Sequence, residues 1–205
     1  MRIAGKNTDK QWFELKARLQ SVPSQDLWAS AFRNFYRERI DTRYLHPIAS
    51  IPDKQNGEGF AILALFCTLI EFLESCERGH NFRLVSTAQL LPNEYNSKQA
   101  SGYFKDFLNT REPFNTLIPT TLVDSFYSDV RCGLLHEART KGTWFISSAA
   151  SAGVLVSQSA DRITLFRRQL VPTLEKYFNG YRNRLLNDPN TQQAFMRKFD
   201  HLSIP

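Results

Sequence analysis

Residues 60–77 are apolar on nearly every side of a helical wheel, and such a helix is stable only where other elements cover it on all sides. The unbroken part of that run, residues 60–70, stops at Glu71 and is well short of the roughly 20 residues a membrane span needs. The segment therefore predicts the central core helix of a folded domain. Carboxylates interrupt it. Glu71 and Glu74 are three positions apart, so they share one side of the helix. They form a polar edge, or one of them faces a neighbouring helix and assists chemistry there.

The flanking sequence supplies the cover. A short helix is predicted over 8–19, and a longer one over 24–43 opens at Ser24, a good N-cap residue. In the second helix Leu27, Trp28, Ala31, Phe32, Phe35 and Tyr36 recur at helical spacing and bury an aromatic side. A loop containing Pro and Gly follows over 47–59, before the core helix. A fourth helix is predicted over 97–109, and Pro119-Thr120 opens a fifth. In that fifth helix Leu122, Val123, Phe126, Tyr127, Val130 and Leu134 fall on one side. Residues 143–147, 153–157 and 162–166 are rich in Val, Ile, Phe and Trp between small residues, which predicts a small antiparallel sheet. A helical region over 167–186, with Pro172 near its start, and a last short helix opened by Asp188-Pro189 complete the chain. The expected fold class is mainly α: one helical domain over residues 1–205, with an antiparallel β insertion near residues 143–166.

Composition narrows the functional classes. Sixteen Phe and an aromatic share of 13% exclude an intrinsically disordered chain. The three cysteines, Cys67, Cys76 and Cys132, are odd in number and lack a CxxC pair, which fits neither a disulfide framework nor a thiolate zinc site. The first ten residues are polar, without the apolar region of a secretory signal. A cytoplasmic protein with no membrane association is expected. The net charge of +6 is compatible with an acidic partner such as RNA. Arg33, Arg37, Arg39 and Arg43 cluster on the second helix and read mostly as a solvated face.

One phrase concentrates chemistry. From Phe126 to Gly142 the chain reads FYSDVRCGLLHEARTKG, which brings Arg131, His136, Arg139 and Lys141 around a predicted helix end. Arg offers a fixed fork of donors to phosphate oxygens, and His both gives and takes protons near neutral pH. RNA cleavage by the ribose 2′-hydroxyl needs those two functions and no metal. The phrase Val-Arg-Cys-Gly-Leu-Leu-His-Glu-Ala resembles the motif helix of the HEPN family, whose ribonucleases carry Arg, four to six residues, then His. Arg39 and His46 also have a permitted spacing, but they lie where a helix exits into a loop. The resemblance implies a HEPN-like helical bundle. It further implies a metal-independent endoribonuclease that needs no cofactor, with Arg131 and His136 catalytic at a composite site in a homodimer. Biologically it implies a toxin or antiviral defence effector, with an antitoxin or defence-system protein as a further partner.

Around this pair, Arg139 and Lys141 are candidates to hold the RNA backbone, or they form a solvated helix exit. Glu137 is a neighbour that could tune the imidazole. Gly133, a poor residue inside a helix, fits a place where another backbone comes close, either in a partner copy or within the chain. Cys76 and His80 are four apart but lack further ligands for a metal. The rival reading is a non-catalytic HEPN-like module for dimerisation or partner binding. Cys132, where many active members carry a polar residue directly after the Arg, favours it.

Overall fold

The computed structural model of the protein describes residues 1–52 and 57–204 and is mainly helical. The chain divides into two compact units. One comprises Met1–Pro47, Ser75–Lys98 and Asn179–Pro205, and the other comprises Ile48–Glu74 and Gln99–Phe178.

The first unit opens with an antiparallel pair, β1 (Arg2–Ala4) and β2 (Asn7–Thr8). Thr8 then caps the helix Asp9–Ser21 in a capping box with Gln11. Ser24 caps the next helix as expected. That helix, Gln25–Ala31, passes into a π-helical stretch at Phe32–Arg37, and a second stretch follows at Asp41–Leu45. The helical run does not stop where the loop over 47–59 is predicted, because His46–Ser50 is still helical. Residues 53–56 of that loop lie outside the described residues.

The core of this unit is aromatic. Trp12 meets Phe35, Phe195 and Phe199 at ring-centroid distances of 5.3, 5.8 and 5.5 Å, and Tyr36 stacks on Tyr181 at 4.5 Å. Trp12 also donates its indole N–H to Asp200 at 2.9 Å, so its one polar atom is satisfied where the ring is buried. The Arg cluster is less solvated than its sequence suggests. Arg37 pairs with Asp41 at 2.7 Å, while Arg39 and Arg43 both donate to the backbone carbonyl of Ile3 and tie β1 to the helix. Two further short strands, β3 (Asn81–Phe82) and β4 (Glu94–Tyr95), pair in parallel. The final helix, Pro189–Leu202, is capped by Asp188 with Pro at its first position.

The second unit holds most of the core helix, Glu58–Arg78, whose residues Leu63, Phe66, Leu69, Ile70 and Leu73 are fully buried. This helix has the length and hydropathy of a membrane span, yet its apolar side chains are largely packed inside the protein. Around it lie the helix Ala100–Thr110, the short helix Phe114–Leu117, and the helical run that starts at Thr120. Phe66 meets Phe114 at 5.8 Å, Phe107 meets Tyr177 at 5.0 Å, and Phe126 meets Trp144 at 5.1 Å.

The expected sheet forms near residues 143–166, but it is mixed rather than antiparallel. Its strands are β5 (Trp144–Ser147), β6 (Val156–Gln158) and β7 (Ile163–Phe166), in the order β5-β7-β6. A tight turn, in which Ser159 N–H donates to Arg162 O at 2.8 Å, pairs β6 with β7 antiparallel. The longer connection over residues 148–155 leaves room for β7 to enter between β5 and β6, and β7 therefore runs parallel to β5. Residue alternation identifies strands but not their neighbours, so the sequence could not show this insertion.

Glu74, fully buried on the core helix, accepts two hydrogen bonds from the Arg111 guanidinium, Nε to Oε2 at 2.8 Å and Nη2 to Oε1 at 2.9 Å. Removing one partner of such a pair leaves a charge in a place water cannot reach. Arg111→Ala is expected to lower stability by about 3 kcal/mol. Lys105→Ala, which breaks the exposed pair with Asp124, is expected to cost less than about 1 kcal/mol. Urea unfolding of the two variants beside wild type measures the difference.

Candidate functional site

The helical run that carries the Arg–His phrase has three parts: Thr120–Ser125, a π-helical stretch at Phe126–Arg131, and Cys132–Glu137. Pro119 precedes it, and Leu122, Val123, Phe126 and Val130 face inward. A single α-helical wheel does not hold beyond Phe126. Tyr127 and Leu134, expected on the buried stripe, are half-buried, and Gly133 is buried instead. π-helical stretches insert an extra residue per turn, which re-aims every side chain that follows, and Arg131 is the last residue of this one.

Arg131 faces the core helix. Its Nη2 lies 3.8 Å from Oε2 of Glu71, and its guanidinium sits 5.4 Å from the centre of the Tyr127 ring, so a carboxylate and an aromatic face together hold it. Both charged side chains remain partly accessible, 23% for Arg131 and 22% for Glu71. They open on a cleft of about 240 Å³ lined by Ala64, Cys67, Thr68, Glu71, Arg131, Leu134 and Leu135. Glu71 thus faces the motif helix, whereas Glu74, three residues on, pairs with Arg111.

His136 is elsewhere. It is exposed, does not line the cleft, and among the described residues no partner bonds its imidazole. Five residues of α-helix turn through roughly 500°, so His136 points about 140° away from Arg131 around the axis. The structure of one chain therefore does not bring the two together at one point.

Beyond His136 the helix ends in a reversal. Ala138 adopts the left-handed conformation, with φ of 54°, and donates its N–H to the Gly133 carbonyl. The returning chain then lies against the helix, where Lys141 N–H donates to Asp129 O at 2.9 Å. This is what Gly133 permits: a Cβ there would stand 2.5 Å from the Arg139 carbonyl oxygen. The close backbone is the chain's own. Arg139 and Lys141 both close on Glu137, Arg139 at 3.0 Å and Lys141 at 2.6 Å, and these bonds, Lys141 first, hold the Glu137 carboxyl below its ordinary value. Glu137 is thus engaged with those two cations rather than with His136. Arg139 and Lys141 still present accessible cationic ends, with the Arg139 side chain 68% exposed.

No known protein family, curated protein or solved structure matches this chain. The site must be read from its own geometry. Among the described residues, no group of three or more His, Cys, Asp or Glu gathers as a metal-binding set. Sequence reasoning left open which glutamate met Arg131. Helical spacing puts Glu71 and Glu74 on one side, and only the packing of the helices separates their partners.

Two glycine substitutions test the local geometry in opposite directions. Gly133→Ala must displace the Arg139 carbonyl and is expected to lower stability by about 1–3 kcal/mol, the range seen for overpacking. At Gly102, within the helix Ala100–Thr110, an added Cβ would meet nothing within 4 Å, so Gly102→Ala is expected to stabilise by up to about 1 kcal/mol. Thermal melting of both variants gives the two signs.

Proposed function

We propose that the chain is a metal-independent endoribonuclease of HEPN-like type, which cuts RNA by attack of the ribose 2′-hydroxyl on the adjacent phosphate. The observation that carries this reading is Arg131. It is a guanidinium held at the mouth of a partly apolar cleft, on the helix whose wording resembles the HEPN motif. There it stabilises the charged phosphorane, and His136 moves a proton. Arg139 and Lys141, at the helix exit, hold the RNA backbone.

The angular separation of Arg131 and His136 supports a homodimer. A two-fold axis near the motif helices would set the Arg131 of one protomer beside the His136 of the other. Leu135, 61% exposed next to His136, supplies apolar surface for such a contact. A cytoplasmic toxin or antiviral defence effector, restrained by an antitoxin or another defence protein, is the biology this activity suits.

A second reading, a non-catalytic dimerisation or partner-binding module, is favoured by two features: Arg131 already has a carboxylate partner in Glu71, and Cys132 follows it.

Incubation of the purified protein with RNA separates the two. For the nuclease, cleavage persists in EDTA, fails on DNA and leaves 2′,3′-cyclic phosphate ends, because the nucleophile belongs to the RNA. Arg131→Ala and His136→Ala are each expected to lose about 10²- to 10⁴-fold in rate. His136→Ala should keep its melting temperature, since exposed substitutions usually change stability by less than about 0.5 kcal/mol. Folded His136→Ala with an unchanged rate would remove this residue from the mechanism, and intact RNA after incubation with wild type would leave the module reading.

A further inference from the structure

The reaction needs a base for the 2′-hydroxyl beside the phosphate that Arg131 would hold, and the cleft offers few groups. Ala64, Leu134 and Leu135 have no polar side-chain atom. The Thr68 hydroxyl donates to the Ala64 carbonyl at 2.9 Å and is no base near neutral pH. Burial pushes the Cys67 thiol far up, so it stays protonated. Burial likewise raises the neighbouring Tyr127 phenol. His136 of the same chain points away around the helix. The remaining lining group is Glu71, a partly exposed carboxylate 3.8 Å from the guanidinium.

We propose that Glu71 is the general base of this site, a role that rests on the ribonuclease reading above. With the scissile phosphate on Arg131, a Glu71 carboxylate oxygen takes the 2′-hydroxyl proton. The 2′-oxygen forms a bond to phosphorus, and the bond from phosphorus to the 5′-oxygen breaks. That oxygen leaves with a proton from solvent or from the His136 of a second copy, and Glu71 returns its own proton to solvent. His136 thereby keeps only the acid role. Glu71 thereby has two roles, holding the Arg131 guanidinium and taking the proton beside the phosphate. Among the groups that face Glu71 are Arg131 and Tyr127 on the motif helix. On its own helix, Cys67 lies one turn back, and Glu74, bound to Arg111, lies three residues on.

The test measures kcat/KM against pH for wild type, Glu71→Gln, Glu71→Asp and His136→Ala. It also measures the affinity of each for an RNA carrying a single 2′-deoxyribose at the cleavage position, which binds but cannot be cut. Glu71→Gln is expected to lose about 10²- to 10⁴-fold in kcat while binding the uncleavable RNA at least as tightly as wild type. Glu71→Asp should recover part of the rate. If Glu71→Gln fails to fold, the pH profile of wild type against Glu71→Asp decides. With a carboxylate base, the acidic limb of cleavage shifts in Glu71→Asp and persists in His136→Ala. Cleavage by Glu71→Gln at the wild-type rate, or an acidic limb that disappears with His136→Ala, overturns the proposal and leaves the ribonuclease reading intact. Wild type that cuts no RNA overturns both.

Discussion

A carboxylate on an otherwise apolar, buried helix must find a cation or leave the interior, and the second unit is organised around that requirement. Glu74 is fully buried and tolerated because the Arg111 guanidinium meets it with two hydrogen bonds. Glu71, three residues back, meets Arg131 more loosely at 3.8 Å and keeps contact with solvent. A tight, bidentate pair with a fully buried carboxylate locks a helix in place. A longer, half-exposed pair at the mouth of a cleft leaves both partners able to engage a ligand.

The motif helix is shaped to present that second pair. A π-helical stretch ends at Arg131 and breaks the simple register of the apolar stripe. The helix then lasts only to Glu137 before the left-handed Ala138 turns the chain back across Gly133. Arg139 and Lys141 are folded onto Glu137 by that reversal, and neither lines the cleft. The helix thus carries two chemically distinct faces, one guanidinium toward the core helix and one imidazole toward solvent.

That separation is the main fact any mechanism has to accommodate. On the ribonuclease reading proposed above, either a second copy supplies the His136 that one chain lacks at its own Arg131, or proton transfer falls to the carboxylate beside it. The two answers are compatible when the acid and the base are different residues. Both make the cleft between the core helix and the motif helix, rather than the His136 surface, the place where a phosphate would be held.

Much of this was legible in the amino-acid order. The all-round apolar pattern of residues 60–77 predicted a buried helix, and Thr8, Ser24, Pro119 and Asp188 marked helix starts, because capping and burial are local properties of side chains. The Arg–His phrase also stood out by itself. The sequence did not show that β7 enters between β5 and β6, since alternation is the same for either neighbour. Nor did it show that π-helical stretches interrupt two helices, since they depend on how each helix packs. Which glutamate meets Arg131, whose backbone crowds Gly133, and how far His136 lies from the cleft were decided by tertiary structure alone. They depend on helix crossings and chain reversals that join residues distant in sequence, and no periodicity along the chain encodes those distances.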